Sequence, residues 1–260
     1  MQQLKLLIIS NTNFYLRIVL FLAFVGHGMV SLGLSPSYTL HYGIADAINF
    51  TTIDTKLLLR CCGVLDIMLA LLIISKTYPT IVLKIALGYL VIIGVAAVCF
   101  FNVKSESIFG IAEFMRRMPW MFFTIYLLIE AIRNQSKEHL IRLGISFAFL
   151  AHGLASLGFF GLKGGHIELA TQIVTKEQAQ VFVYYSGIAD SIIGVLLFTG
   201  VFSKYVAPIG TLWIMVIVVL SYMNSFADGI FRTGFLLASL YVALQPKCHE
   251  YPFIKLNIKK

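Results

Sequence analysis

Apolar runs recur eight times along the chain, at about residues 14–35, 57–75, 81–101, 114–132, 143–162, 180–203, 206–223 and 229–245. A hydrocarbon core about 30 Å thick needs roughly 17–25 helical residues to cross it, and these runs are long enough, the last being the shortest. Polar stretches punctuate them, the richest being "AIRNQSKEHLIR" at residues 131–142. The pattern predicts an all-α membrane protein of eight transmembrane helices. Composition agrees with it: 59% of the residues are hydrophobic and 12% charged, against about 25% charged in soluble domains, and the mean hydropathy is +0.88.

The pattern also repeats. At an offset of 125, Arg17, Ala23, Phe24, His27, Gly28, Ser31, Leu32, Gly33 and His41 match Arg142, Ala148, Phe149, His152, Gly153, Ser156, Leu157, Gly158 and His166. At 124, Gly63, Asp66 and Leu72 match Gly187, Asp190 and Leu196, and at 115, Glu113, Arg117 and Tyr126 match Asp228, Arg232 and Tyr241. The chain is therefore expected to be two tandem four-helix bundles, residues 1–135 and 136–260, with the boundary near Gln135. An even number of helices per unit gives both the same orientation, so a pseudo-two-fold axis should run along the membrane normal, as for parallel repeats.

Charge orients the molecule. The N-terminus, the even-numbered loops and the C-tail carry Lys5, Arg17, Lys76, Lys84, Arg133, Lys137, Arg142, Lys204, Lys247, Lys255, Lys259 and Lys260. On the other side, acids (Asp46, Asp54, Glu106, Glu113, Glu168, Glu177, Asp228) nearly balance the remaining basic residues. The Lys/Arg bias places both termini in the cytoplasm. The first helix is long enough to span, and no small-residue cleavage site follows an apolar core, so it reads as a retained anchor. The net charge of +8 follows from this topology, and no aromatic-interleaved basic motif points to nucleic acid.

Polar groups inside the membrane carry the candidate chemistry, because ionisable side chains are costly there and tend to mark functional pathways. His27 and His152 lie two thirds of the way across, about 15 Å beyond Arg17 and Arg142 at 1.5 Å per residue, with Ser31 and Ser156 one turn further on the same face. Arg17 is expected to reach the cytoplasmic interface by snorkelling. Asp66 and Asp190 fall near mid-membrane and should be buried against polar side chains of their own unit. Glu113 with Arg117 and Asp228 with Arg232, at i and i+4, read as intrahelical ion pairs near the outer surface. His41 and His166 fall in outer loops. For His27 and His152 three roles stay open: a packing hydrogen bond, proton or substrate handling, and ligation of haem or a metal. Since the acid–Arg pairs are duplicated too, two separate polar pockets, one within each unit, are expected.

Cys61, Cys62, Cys99 and Cys248 contain no C-x-x-C; a disulfide between the 61/62 pair and Cys99 is sterically open. No G-x-S-x-G, Walker A, G-x-G-x-x-G, H-E-x-x-H or C-x-x-C-H pattern occurs, which excludes the common hydrolase, nucleotide-binding and c-type haem classes on motif grounds.

An Arg followed ten residues later by His-Gly near the end of a first helix, then a second helix with Gly-x-x-acid and four helices per unit, resembles the DoxX family of small membrane proteins. One departure is that Ser31 and Ser156 stand where such sequences often carry Lys. The resemblance implies a four-helix membrane unit in the bacterial inner membrane, associated with quinone-linked or thiol-linked redox systems and their partner proteins. Three functions follow as expectations: a membrane subunit of a redox system with a quinone or haem site in its outer half; a proton-coupled small-molecule transporter; and a scaffold in the lipid bilayer with no chemistry of its own.

Overall fold

A computed structural model describes residues 11–48, 53–103, 107–133, 137–159 and 163–250. The expected boundary at Gln135, Glu106 and the outermost basic residues of both termini lie outside these. The described residues form ten α-helices and no strand: α1 Thr12–Ser31, α2 Tyr38–Ile48, α3 Thr55–Ser75, α4 Pro79–Val103, α5 Ser107–Arg133, α6 His139–Ser156, α7 Lys163–Ala170, α8 Lys176–Thr199, α9 Ser203–Asn224 and α10 Phe226–Leu244. A 3₁₀ turn, Pro246–His249, follows.

Seven of these, α1, α3, α4, α6, α8, α9 and α10, are long and apolar enough to cross a membrane. The eighth long helix, α5, has 27 residues, which span about 40 Å. Glu113, Arg116 and Arg117 near its start make it more polar than the rest. The outer faces of α3, α4, α8 and α9 expose Val64, Met68, Ile85, Ile92, Ile192, Val195, Ile209 and Leu212, the surface that acyl chains cover.

Local sequence explains the element ends. Asp54 caps α3 by accepting from the Lys56 amide, and Thr175 with Gln178 forms a capping box at α8, satisfying amides that lack intrahelical partners. At the ends of α1 and α6 the same device appears twice. The Leu32 amide donates to the Gly28 carbonyl and the Leu157 amide to the Gly153 carbonyl, and the chain then turns through Gly33 at φ +90° and Gly158 at φ +89°. Only glycine takes that left-handed conformation without steric cost.

Small residues set the closest helix crossings. A Cβ on Gly28 would stand 2.8 Å from the Gly63 carbonyl oxygen, and one on Gly153 would stand 2.9 Å from that of Gly187. The matched glycines thus bring α1 onto α3 and α6 onto α8. Larger-scale packing departs from the expectation of two self-contained bundles. The last long helix of each half lies against the first helix of the other, α10 on α1 and α5 on α6. Gly26 backs directly onto the Phe231 backbone, and Gly144 onto Pro119. The Tyr15 hydroxyl donates to the Leu237 carbonyl at 2.7 Å. One hydrophobic core, including Leu20, Phe24, Trp120, Ile145, Phe149 and Phe235, runs through both halves.

The start of α1 meets the ends of α10 and α5 at one end of this bundle: Thr12 and Tyr241 hydroxyls are 3.0 Å apart, and Asn13 donates to Glu130 at 2.7 Å. Arg17, expected to reach solvent, is instead 3% exposed. It donates to the Asn13 side chain at 2.6 Å and to the Ile73 carbonyl at 2.8 Å, because the last carbonyls of α3 have no partner within their own helix. Arg142 is fully buried. All four cysteines are free, so the disulfide considered from the sequence is not formed.

Candidate functional site

At the opposite end, α1 and α3 set the first constellation. His27 sits about 22 Å up α1, next to Gly28 at its crossing with Gly63, and Asp66 follows Gly63 by one turn of α3, so the ring reaches the acid. His27 Nδ1 donates to Asp66 Oδ2 at 2.7 Å, and Asp66 is fully buried. The bond orients the imidazole and fixes the Nδ1–H tautomer, which leaves Nε2 to exchange a proton or a hydrogen bond.

His41 and His166 are not solvated loop residues. They ride on the short helices α2 and α7, which fold back over the ends of α1 and α6. Ser31 Oγ lies 3.1 Å from His41 Nδ1, and Ser156 Oγ lies 2.6 Å from His166 Nδ1, so each repeated serine meets its repeated histidine. The His27 and His41 rings are 4.5 Å apart and those of His152 and His166 are 5.5 Å apart. Burial, with His27 and Arg117 close by, holds the His41 imidazole well below its ordinary value. Burial beside Arg116 and Arg232 brings His166 down to about 3. Both therefore stay neutral near pH 7.

The i, i+4 pairs differ from one another. Glu113 accepts from Arg117 at 2.9 Å and also from Arg116 at 2.6 Å, a partner that the i, i+4 pattern alone passes over. Asp228 stands 4.0 Å from Arg232. Its oxygens accept instead from Ser35 at 2.8 Å, Ser37 at 3.0 Å, Asn224 at 2.9 Å and Ser225 at 2.6 Å. Ser35 and Ser37 belong to the link between α1 and α2, so the acid of the second half is held by the first.

The two carboxylates of the repeat have also diverged. Asp66 has His27; Asp190 faces the Trp213 indole on α9. Tyr89 stands beside Asp66, and the Tyr89–Trp213 interval of 124 equals that of the two acids. That shared spacing was the available sequence signal for both aromatic residues. Nothing in the periodicity marks Ser35 or Ser37.

These side chains surround a chamber of about 580 Å³, lined by His27, His41, Asp66, Glu113, Arg116 and Arg117 together with His152, His166, Asp228 and Arg232. Two separate pockets, one per unit, were expected; the chamber takes in groups of both halves, since α10 lies on α1 and α5 on α6. A narrower cavity of about 100 Å³ reaches Asp190 and Trp213, and His152, His166 and Arg232 line both spaces. The deeper walls of the chamber are apolar: Phe24, Leu90, Ile93, Trp120, Phe231 and Phe235. Trp120 packs on Phe235 with ring centroids 4.2 Å apart and on Phe231 at 5.5 Å. Among the described residues, no group of three or more His, Cys, Asp or Glu is placed to hold a metal ion.

No curated protein and no solved structure matches the chain significantly. The DoxX family model matches residues 138–223, from the start of α6 to near the end of α9.

Proposed function

We propose that this multi-pass membrane protein, DoxX-like over residues 138–223, is the membrane subunit of a quinone- or redox-linked system and holds a small amphipathic molecule in its chamber. The observation that supports this reading is the division of the chamber walls. Imidazole and guanidinium donors line part of it, and the tilted and edge-to-face rings of Trp120, Phe231 and Phe235 with aliphatic side chains line the rest. A quinone head offers carbonyl acceptors on a flat apolar ring with an apolar tail, which suits donors at one end and aromatic faces at the other. When bound, such a group would supply electron-accepting chemistry. His27 would donate or accept a proton at Nε2, with Asp66 stabilising the imidazolium; Arg117, tied to Glu113, would orient an acceptor oxygen; the aromatic floor would exclude water.

Short-chain ubiquinone and menaquinone analogues provide the test. The chain has two tryptophans, and only Trp120 lines the chamber. A Trp213→Phe protein in nanodiscs should show saturable quenching of Trp120 by at least one analogue. Linear, non-saturating quenching by both would end the quinone reading. A proton-coupled transporter is the second reading, supported by the narrower cavity that joins the chamber side to Asp190.

The same proposal includes the architecture: two tandem units, 1–135 and 136–260, with α5 as the eighth spanning helix and a pseudo-two-fold axis along the membrane normal. Support comes from the paired glycine crossings and the paired Ser–His bonds. The Lys/Arg bias places both termini in the bacterial cytoplasm and the chamber in the outer half of the inner membrane. A reporter active only in the cytoplasm should work when fused after Lys260 and stay silent when inserted near Gln172; activity at Gln172 would reverse the orientation.

A further inference from the structure

Guanidinium donors are left over at one place in the chamber. Arg232 projects from α10 and lines both cavities, yet the carboxylate nearest along its own helix, Asp228, is 4.0 Å away. The oxygens of that carboxylate are already taken up by two serines of the α1–α2 link, by Asn224 and by Ser225. Opposite it, on α5, Arg116 spends one terminal nitrogen on Glu113 at 2.6 Å. Its other terminal nitrogen is 3.4 Å from His166 Nε2. Its Nε–H is buried without an acceptor. Glu113 cannot serve both arginines better, since its second oxygen holds Arg117 at 2.9 Å. Of the other acids lining the chamber, Asp66 is engaged by His27, and Glu168 on α7 is exposed.

Arg116, Arg232, His152 and His166 lie within Coulombic reach of one another. Two cations crowded together in a low-dielectric space, with donors unused, are costly unless an anion joins them. Arginine's planar fork matches the paired oxygens of a carboxylate or phosphate.

We propose that the space between Arg116 and Arg232, beside His152 and His166, is a binding site for a small oxyanion, a carboxylate or a phosphate. The anion's oxygens accept from the Arg232 fork and from Arg116 Nε–H. The imidazoles of His152 and His166, which line both spaces, close the site on the side of the narrower cavity. Because the two arginines come from helices in opposite halves of the chain, the bound anion bridges the halves. This site uses Arg116, Arg232, His152 and His166, whereas the quinone reading uses His27, Arg117 and the aromatic wall of the same chamber.

The test uses the full chain in nanodiscs of neutral phosphatidylcholine. Benzoate and inorganic phosphate are titrated by calorimetry, and a third sample carries phosphatidylglycerol in place of part of the neutral lipid, with retained lipid counted by native mass spectrometry. Saturable binding of either free anion is expected. Specific retention of phosphatidylglycerol alone would identify the same oxyanion chemistry on a lipid headgroup. In Arg232→Gln, binding should weaken at least about tenfold, the loss of one charge-assisted bond or more. Arg232→Lys, which keeps charge but loses the fork, should fall between and covers the case in which Arg232→Gln does not fold. Arg133→Gln, on the exposed end of α5, should bind as the parent does. The proposal fails if neither free anion nor phosphatidylglycerol binds, or if the folded Arg232 variants bind as tightly as the parent. Saturable Trp120 quenching by quinones with no anion binding removes this site alone; anion binding without such quenching removes the quinone reading alone.

Discussion

Replacing His27 by alanine is expected to destabilise the protein by about 3–5 kcal/mol, the cost of stripping a buried charge of its partner. Asp66 is fully buried and is hydrogen-bonded to the His27 imidazole 2.7 Å away. Its second oxygen, Oδ1, is buried without a hydrogen bond, so the Tyr89 hydroxyl beside it is the one neutral donor left when His27 goes. Asp66→Asn in the same background should recover most of the loss, because a neutral amide costs far less to bury than an unpaired carboxylate. The double-mutant cycle should therefore show strong coupling. His152→Ala should cost clearly less, since Asp190 faces Trp213 instead. Thermal and denaturant unfolding of the four single and paired variants in nanodiscs would check this. Equal losses for His27→Ala and His152→Ala, or additive effects of His27 and Asp66, would show that the bond contributes little.

A second large effect is expected at the helix crossings. Gly28→Val places a Cβ 2.8 Å from the Gly63 carbonyl oxygen, and Gly187→Val places one 3.0 Å from that of Gly153. Backbone cannot yield as a flexible side chain can, so α1 must part from α3, or α6 from α8. Overpacking of this kind costs about 1–3 kcal/mol per site. Separation also pulls His27 from Asp66, which adds to the loss in the first half only. Gly88 of α4 has nothing within 4 Å of a Cβ. Gly88→Ala should be neutral or raise stability by roughly 0.5–1 kcal/mol, the helix-interior preference for alanine. Unfolding midpoints that rank Gly88→Ala with Gly28→Val would contradict the close-approach account.

Seven helices long and apolar enough to cross a membrane, and the recurrence of His, Ser, Gly and Asp at fixed intervals, were legible in the chain. Each depends on local quantities: the length of an apolar run against the bilayer thickness, and identity at a fixed interval. The Ser31–His41 and Ser156–His166 bonds had their sequence trace in two residue types kept ten apart in both halves. Which helix packs on which was not legible. Within a bilayer the apolar faces of α5 and α10 are equally satisfied by lipid or by any neighbour, so periodicity does not select the first helix of the opposite half as their partner. That choice is made by side-chain fit, Gly26 against Phe231 and Gly144 against Pro119. From it follow the hydrogen bonds of Ser35 and Ser37 to Asp228 and the chamber that Arg116 and Arg232 line together. The short helices α2 and α7 escaped notice for a related reason: eleven and eight residues are too few to leave a periodic signature, and they are held by contacts made only once α1 and α6 have turned at their glycines.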